Sequence, residues 1–168
     1  MPLFMPTAIF KRVTAITPSY LKTHGIKALV LDVDNTLTGH GSQNLPADVA
    51  AWIAIMRKAG IQMMIASNNF PKRVAPFAAQ VDLPFCAFCC KPSPTGFMRA
   101  RKLLRVQKSE MALVGDQIFT DALGANLYGI QVLLVQPMYT DTKATIKLKR
   151  FLEKPFLNRY YQRGGKLL

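Results

Sequence analysis

Four apolar runs, each closed by a polar cluster, restrict the fold of this chain more than any other feature. Leu29-Val30-Leu31 leads into Asp32-Val33-Asp34-Asn35-Thr36, and Met63-Met64-Ile65-Ala66 into Ser67-Asn68-Asn69. Lys91-Pro92-Ser93-Pro94 follows a short run holding cysteines, and Leu113-Val114-Gly115 leads into Asp116-Gln117-Ile118-Phe119-Thr120-Asp121. Continuous apolar runs of strand length suit strands buried on both faces. The four predict strands over residues 26–33, 61–66, 85–89 and 111–114, and a further apolar run predicts a fifth over 130–135.

Stretches of helical period stand between these runs. Over 47–59, Val49, Trp52, Ile53 and Met56 fall on one side, with Gly60 placed for the C-cap. A second helix is predicted over 71–81, irregular at first because of Pro76, and a third opens at Ser93-Pro94, with proline suited to its first position. Residues 119–128, ended by Gly129, and 142–152 complete the set. Ahead of the first strand a helical stretch is expected over 8–15, then a new helix start at Thr17-Pro18-Ser19.

Alternation of strand and helix with short connections argues for a parallel sheet covered by helices on both faces. Right-handed crossovers make this an α/β three-layer sandwich with a mainly parallel, Rossmann-like sheet. At 168 residues, without internal repeat or linker, the chain reads as one domain, 1–168. Within it stand an amphipathic N-terminal extension (1–25), a catalytic core (26–136) and a basic tail without clear period (154–168). Open α/β sheets bind ligands outside the carboxyl ends of their strands, where all four clusters fall.

Half the residues are hydrophobic and 18% are charged, which excludes a disordered chain. No apolar stretch approaches the roughly 20 residues needed to cross a bilayer. Met1 to Phe10 lacks the basic region of a secretory signal, so the expected location is cytoplasmic, with peripheral contact at the inner face of the membrane. Cys86, Cys89 and Cys90 lie far in sequence from either histidine and read as small apolar side chains of a buried strand rather than a zinc site. The net charge of +13, with only nine acidic residues, favours polyanionic partners: an anionic membrane surface, a phosphorylated substrate or, less so, nucleic acid.

Phosphate monoesters demand rate factors up to about 10²¹. A positioned nucleophile, a general acid and charge neutralisation supply them, and the clusters offer each. Asp32 and Asp34 stand two apart, so extended backbone points both side chains the same way. As the strand ends, one carboxylate can attack phosphorus while the other protonates the leaving oxygen. Asp116 would complete an oxygen-ligand set for Mg²⁺, a hard ion that prefers carboxylates. Lys91 would screen the attacking carboxylate, and Ser67 with the amides beyond it, Asn68 foremost, would hydrogen-bond the phosphoryl oxygens. Asn68 and Asn69 also suit a plain turn, and Asp121 a helix N-terminus. Three acids at strand ends would repel one another without a cation.

In order and spacing, Asp32-Val33-Asp34-Asn35-Thr36, Ser67, Lys91 and Gly115-Asp116 with Asp121 resemble the four motifs of the haloacid dehalogenase (HAD) superfamily. The resemblance implies Asp32 as nucleophile, forming an aspartyl-phosphate, and as Mg²⁺ ligand. It implies Asp34 as general acid/base that also donates its backbone carbonyl to the metal, Ser67 and Lys91 as phosphate binders, Asp116 as acidic metal ligand and Asp121 in the outer shell. An aspartate at position 34 resembles phosphatases rather than dehalogenases.

The intervals from Asp34 to Ser67 and from Ser67 to Lys91 are used up by one helix and one strand each, which leaves no room for a cap domain. An open site suits a phosphate presented on something large, or an oligomer that supplies the lid. The compact motif set, the Asp-Asn-Thr ending and Ile16-Thr17-Pro18 look similar to the YqeG-like branch, subfamily IIIA, whose relatives act on phosphatidylglycerophosphate. That implies a lipid phosphate at a membrane surface, approached through Arg99, Arg101, Lys102 and Arg105 or through Phe4, Ile9 and Phe10. The same apolar residues would equally serve to cover the sheet edge of their own domain. The alternatives are a soluble sugar- or nucleotide-phosphate phosphatase and a nucleic-acid-associated module, the latter motivated by Arg159-Tyr160-Tyr161-Gln162-Arg163.

Overall fold

The computed structural model describes residues 3–139 and 144–168. Six strands form one sheet: β1 (Ala8–Phe10), β2 (Ala28–Leu31), β3 (Gln62–Ala66), β4 (Phe85–Cys86), β5 (Met111–Gly115) and β6 (Gln131–Val135). Every pairing is parallel, in the order β1-β6-β5-β2-β3-β4. Among the described residues six α-helices accompany them: α1 (Pro18–Thr23), α2 (Ala47–Lys58), α3 (Pro71–Val81), α4 (Thr95–Leu104), α5 (Leu123–Tyr128) and α6 (Ala144–Gln162).

The two-residue period of the strands divides the core into two layers. Leu29, Leu31, Met63, Ile65, Val114 and Leu133 face one side, where α1, α2 and α3 pack through Leu21, Trp52, Met56 and Phe77. Ala28, Val30, Met64, Leu113 and Val132 face the other, against Phe97 of α4, Tyr128 of α5 and Tyr160 of α6. Both strand faces are therefore apolar, as a doubly covered parallel sheet requires. The Trp52 indole N–H finds its partner in the Ile16 carbonyl at 2.8 Å, which lets a large ring be buried without an unsatisfied donor.

Chain order reverses between β2 and β5, which lie side by side although far apart in sequence. Such a switch point opens a crevice at the carboxyl edge. Asp32 follows β2 and Asp116 follows β5, so the crevice begins between two carboxylates. Single helices, α2 and α3, stand in the β2–β3 and β3–β4 connections, and among the described residues no cap domain stands over the edge.

Several local expectations are corrected. Residues 8–15 hold β1 and a single 3₁₀ turn at Val13–Ala15, not a helix. Parallel pairing with β6 (Ile9 beside Leu134) decides this, and no local period announces it. Ile9 and Phe10 are each 2% exposed, so they cover the sheet edge of their own chain and are not free to enter a membrane. The stretch from Lys154 onward is no patternless tail. It continues α6 to Gln162, and the Leu168 N–H donates to the Ile9 carbonyl at 2.9 Å while its carbonyl accepts from Lys11 N at 2.8 Å. The third expected strand stops at Cys86, because Phe88 and Cys90 adopt left-handed backbone (φ 53° and 52°). Residues Ile118–Ala122 form a π-helical turn before α5. Of the helix expected over 142–152, Thr142 and Lys143 lie outside the described residues.

Candidate active site

The four polar clusters converge at the switch point. Asp32 continues the β2 ladder, its N–H donating to the Val114 carbonyl at 2.9 Å, and its carboxylate is buried. The chain then turns sharply: Leu37 N and Thr38 N both donate to the Val33 carbonyl, and Asn35 takes a left-handed φ of 60°, which asparagine tolerates. That turn reverses the direction of Asp34 away from the floor of the crevice. Its carboxylate accepts from Gly41 N at 2.7 Å, from Arg73 Nη2 at 2.8 Å and from Asn69 Nδ2.

Lys91 lies at the floor with its ammonium buried. Nζ donates to Asp32 Oδ1 at 2.6 Å and to Asp121 Oδ1 at 2.7 Å. Its place is fixed by Asn68, whose Oδ1 accepts from Lys91 N at 2.6 Å while its Nδ2 donates to the Lys91 carbonyl at 3.0 Å. The Asn68 side chain is thus a clamp between the second and third clusters. Ser67 is buried beside them, and its Oγ accepts from Asn69 N at 3.2 Å.

Asp116 accepts from Arg150 of α6 at Oδ2 and at its own carbonyl, while its Oδ1 is buried with no hydrogen-bond partner. Asp121 Oδ2 accepts from Gln117 N at 3.1 Å. Carboxylate oxygens of Asp32, Asp116 and Asp121 all lie within 4.8 Å of one another. Burial pushes the Asp32 carboxyl up to about 7, against the pull of Lys91, and Asp121 adds to the rise. Asp116 is raised for the same first reason, burial, with Arg150 opposing it and Asp121 and Asp32 reinforcing it. For Lys91, burial works against the charge, yet Asp121 and Asp32 together outweigh it and hold the ammonium more firmly charged than an ordinary lysine. Lys91 and Arg150 pair with all three crowded carboxylates but bring only two positive charges against three negative ones. An orphaned buried oxygen within an all-carboxylate donor set fits a hard divalent cation.

The expected residues Asp32, Ser67, Asn68, Lys91 and Asp116 come together here, and Asp121 lies beside them, bonded to Lys91. Asp34 stands at the rim with its carboxylate turned to Arg73. Three contributors escaped sequence reasoning. Arg73 and Arg150 are single arginines among many basic residues on helices, with no local mark to separate them. Glu153 accepts from Ile118 N at 2.7 Å and from Arg150 Nη1 at 3.1 Å, and so ties α6 to the loop after β5. An acid in so basic a stretch was the one available signal. The cysteines are free thiols. Cys86 and Cys89 are buried, and burial first, then the Cys86 hydrogen bond, pushes the Cys89 thiol up to about 12.

Gly115 leaves room for Asp121, since a Cβ there would stand 2.6 Å from the Asp121 Cγ. Gly115→Ala should displace Asp121 and with it Lys91. We expect a stability loss of about 1–3 kcal/mol by thermal melting and roughly a 100-fold fall in kcat. An unaltered melt and kcat would contradict this placement.

Comparison with known proteins follows the same lines. A family model described as haloacid dehalogenase-like hydrolase matches residues 41–129, and one described as mitochondrial PGP phosphatase matches residues 1–76. The probable phosphatase YqeG of Bacillus subtilis (strain 168) is 31% identical over 161 residues, which is 96% of this chain and 94% of that protein. Among solved structures, the cobalt-bound deoxy-D-mannose-octulosonate 8-phosphate phosphatase of Haemophilus influenzae superposes with a TM-score of 0.58 at 18% identity, covering 82% of this chain and 90% of that one. NagD from E. coli K-12 gives a TM-score of 0.56 at 12% identity, over 71% of this chain and 93% of that one. At such identities the likeness to the two structures is one of fold.

Proposed function

Since the chain belongs to the haloacid dehalogenase-like hydrolase family and is a phosphoric monoester hydrolase, we propose that it works through an aspartyl-phosphate on Asp32, with Mg²⁺ as cofactor and phosphatidylglycerophosphate as substrate. The observation that carries this reading is the buried cluster of Asp32, Asp116 and Asp121 bridged by Lys91, with Asp116 Oδ1 left without a protein partner.

Asp32 and Asp116, with the backbone carbonyl of Asp34, would hold the ion, and Asp121 would orient Lys91 beside it. When bound, Mg²⁺ supplies positive charge to the phosphoryl oxygens and to the attacking carboxylate. Asp32 attacks phosphorus with one carboxylate oxygen, and the bond to the leaving oxygen breaks as Asp34, entering the step as the protonated acid, delivers its proton to that oxygen. Asp34, now ionised, takes a proton from water. The resulting hydroxide attacks the aspartyl-phosphate, releases inorganic phosphate and regenerates Asp32. Lys91 balances charge on Asp32 throughout, while Ser67 and the Asn68 amide N–H receive the phosphoryl oxygens. Arg73 and Asn69 keep the Asp34 carboxylate at the rim, the side from which a leaving group departs.

The lipid substrate is supported by the match of residues 1–76 to the PGP phosphatase model, by the uncapped edge and by the basic surface. Among the described residues no helix is long and apolar enough to cross a membrane. A lipid phosphate would be met by peripheral contact at the inner face of the membrane. The test is Mg²⁺-dependent phosphate release from phosphatidylglycerophosphate in mixed micelles, beside a panel of soluble sugar and nucleotide monophosphates. Preference for the lipid is expected, and preference for a soluble ester would refute the substrate.

The metal has a test independent of turnover. Mg²⁺ at a hundred times its dissociation constant stabilises a folded chain by about 2.7 kcal/mol, roughly 5–10 °C in Tm for this size. The native protein should show that shift and Asp116→Asn should lose most of it. Equal shifts in both would remove Asp116 from the ligand set.

A further inference from the structure

Large apolar side chains stand exposed on the carboxyl edge, on both sides of the catalytic crevice. On the β3–β4 side, Phe70 (68% exposed) follows the second cluster and Phe88 (58%) precedes the third, with ring centroids 5.4 Å apart and nearly parallel. Phe88 N donates to the Asn69 carbonyl at 2.8 Å, so this pair is strapped to the loop that carries Ser67. Phe88 also holds a left-handed φ, an uncommon state for a bulky residue. Hydrophobic burial within the chain explains neither ring, since both face solvent.

On the β5–β6 side, Tyr139 is 60% exposed, and Leu148 and Phe151 on the first turns of α6 are exposed to a similar degree. Between Tyr139 and α6 runs a groove of about 640 Å³, lined by Met138, Tyr139, Lys147, Arg150, Phe151 and Lys154. One of its lining residues, Arg150, bonds Asp116, so the groove adjoins the acidic site. Strand order places β2 and β5, and therefore the carboxylates, between the two aromatic patches.

We propose that this whole edge docks on the headgroup layer of a bilayer containing anionic phospholipid, with Phe70, Phe88, Tyr139, Leu148 and Phe151 entering the layer and Lys147 and Lys154 meeting its phosphates. The inference rests on the lipid-phosphate reading above and adds to it the surface by which the site reaches its substrate. Aromatic rings favour the headgroup level, where one face is apolar and the other wet. Lysines draw a basic domain to an anionic surface, and the chain carries +13 in excess. Two apolar patches flanking one opening require a partner that is flat across both, which a bilayer supplies. The groove is then the place for the glycerol and the first acyl carbons of the substrate, its size being that of a small-ligand site.

The surface differs from the one expected from sequence. Arg99, Arg101 and Lys102 lie on α4, which runs away from the carboxyl edge, Arg105 is its C-cap, and Ile9 and Phe10 are buried.

Vesicle co-sedimentation tests the proposal without any turnover. The native protein should bind phosphatidylglycerol-containing vesicles and not vesicles of phosphatidylcholine alone. Phe70→Ser with Leu148→Ser should weaken binding by on the order of tenfold or more, while p-nitrophenyl phosphate hydrolysis stays unchanged. Arg101→Glu with Leu103→Ser on α4 should leave vesicle binding nearly intact. Absence of binding to the anionic vesicles, or loss through the α4 variant and not the rim variant, would overturn the docking face. So would salt-sensitive capture of RNA, but not vesicles, through the same rim. Vesicle binding through the rim together with preference for soluble esters would instead retire the substrate and keep the surface.

Discussion

Asp32→Asn protein should fold, bind anionic vesicles and yet turn over substrate at least on the order of 10⁴-fold more slowly than the native chain. Among the described residues the neighbouring carboxylates are held by other partners, Asp116 by Arg150, Asp121 by Lys91 and Gln117 N, and Asp34 by Arg73 and Asn69 at the rim. Radiolabelled substrate followed by acid quench should leave phosphate on the native chain and none on the variant. Substantial residual hydrolysis by purified Asp32→Asn would sink the assignment. The same variant reads out the electrostatics of the floor. In the metal-free chain the Asp32 carboxyl is raised from 3.8 to about 7, so the folded state prefers it protonated. Its contribution to stability is then complete below pH 4 and fades as pH rises towards 7, because the unfolded chain ionises first and gains from doing so. Asparagine carries no such penalty. The Tm advantage of Asp32→Asn over the native chain, both free of metal, should therefore grow between pH 4 and 7 and level off above. Saturating Mg²⁺ should shrink or invert it. A difference that ignored pH would show that Asp32 is not raised.

Lys91→Met should be the most destabilising single change in the site, by about 3–5 kcal/mol, because it strands buried carboxylates without their cation. The ammonium side chain is 2% exposed and bridges Asp32 and Asp121, so solvent cannot take over its role. Activity should fall as well, since Lys91 both neutralises the nucleophile and receives the phosphoryl group. Two measurements separate the effects. The stability deficit should narrow as pH is lowered and the orphaned acids take up protons, and Lys91→Met with Asp121→Asn should be more stable than Lys91→Met alone. A Lys91→Met protein with native Tm and kcat would place the lysine outside the machinery.

How much of this was legible beforehand follows from the range over which each signal acts. Apolar runs ending in Asp32, Ser67, Lys91 and Asp116 announce doubly covered strands with polar tips, since burial on both faces demands such runs. That reading holds for β2, β3, β5 and β6, and for α2, whose Val49, Trp52, Ile53 and Met56 are buried on one side. It failed at β1, only three residues long, whose existence depends on pairing with β6 far along the chain. It failed again at the C-terminus, where Leu168 pairs with β1 and no repeat could mark it. Asp121 was ambiguous because a helix-start acid and a floor acid look alike until Lys91 is seen between Asp32 and Asp121.

The order of residues determined which chemistry this chain carries: paired carboxylates and a hydroxyl delivered by strand ends, and a lysine from the loop after β4, without insertions to cover them. Those are local facts, written in runs of five to ten residues. Tertiary structure alone decided which arginines matter, placing Arg73 on Asp34 and Arg150 on Asp116, and which apolar residues are left outside. Identical side chains on a helix differ only in what the rest of the fold sets opposite them, and that is fixed by strand order and packing rather than by neighbours in the chain.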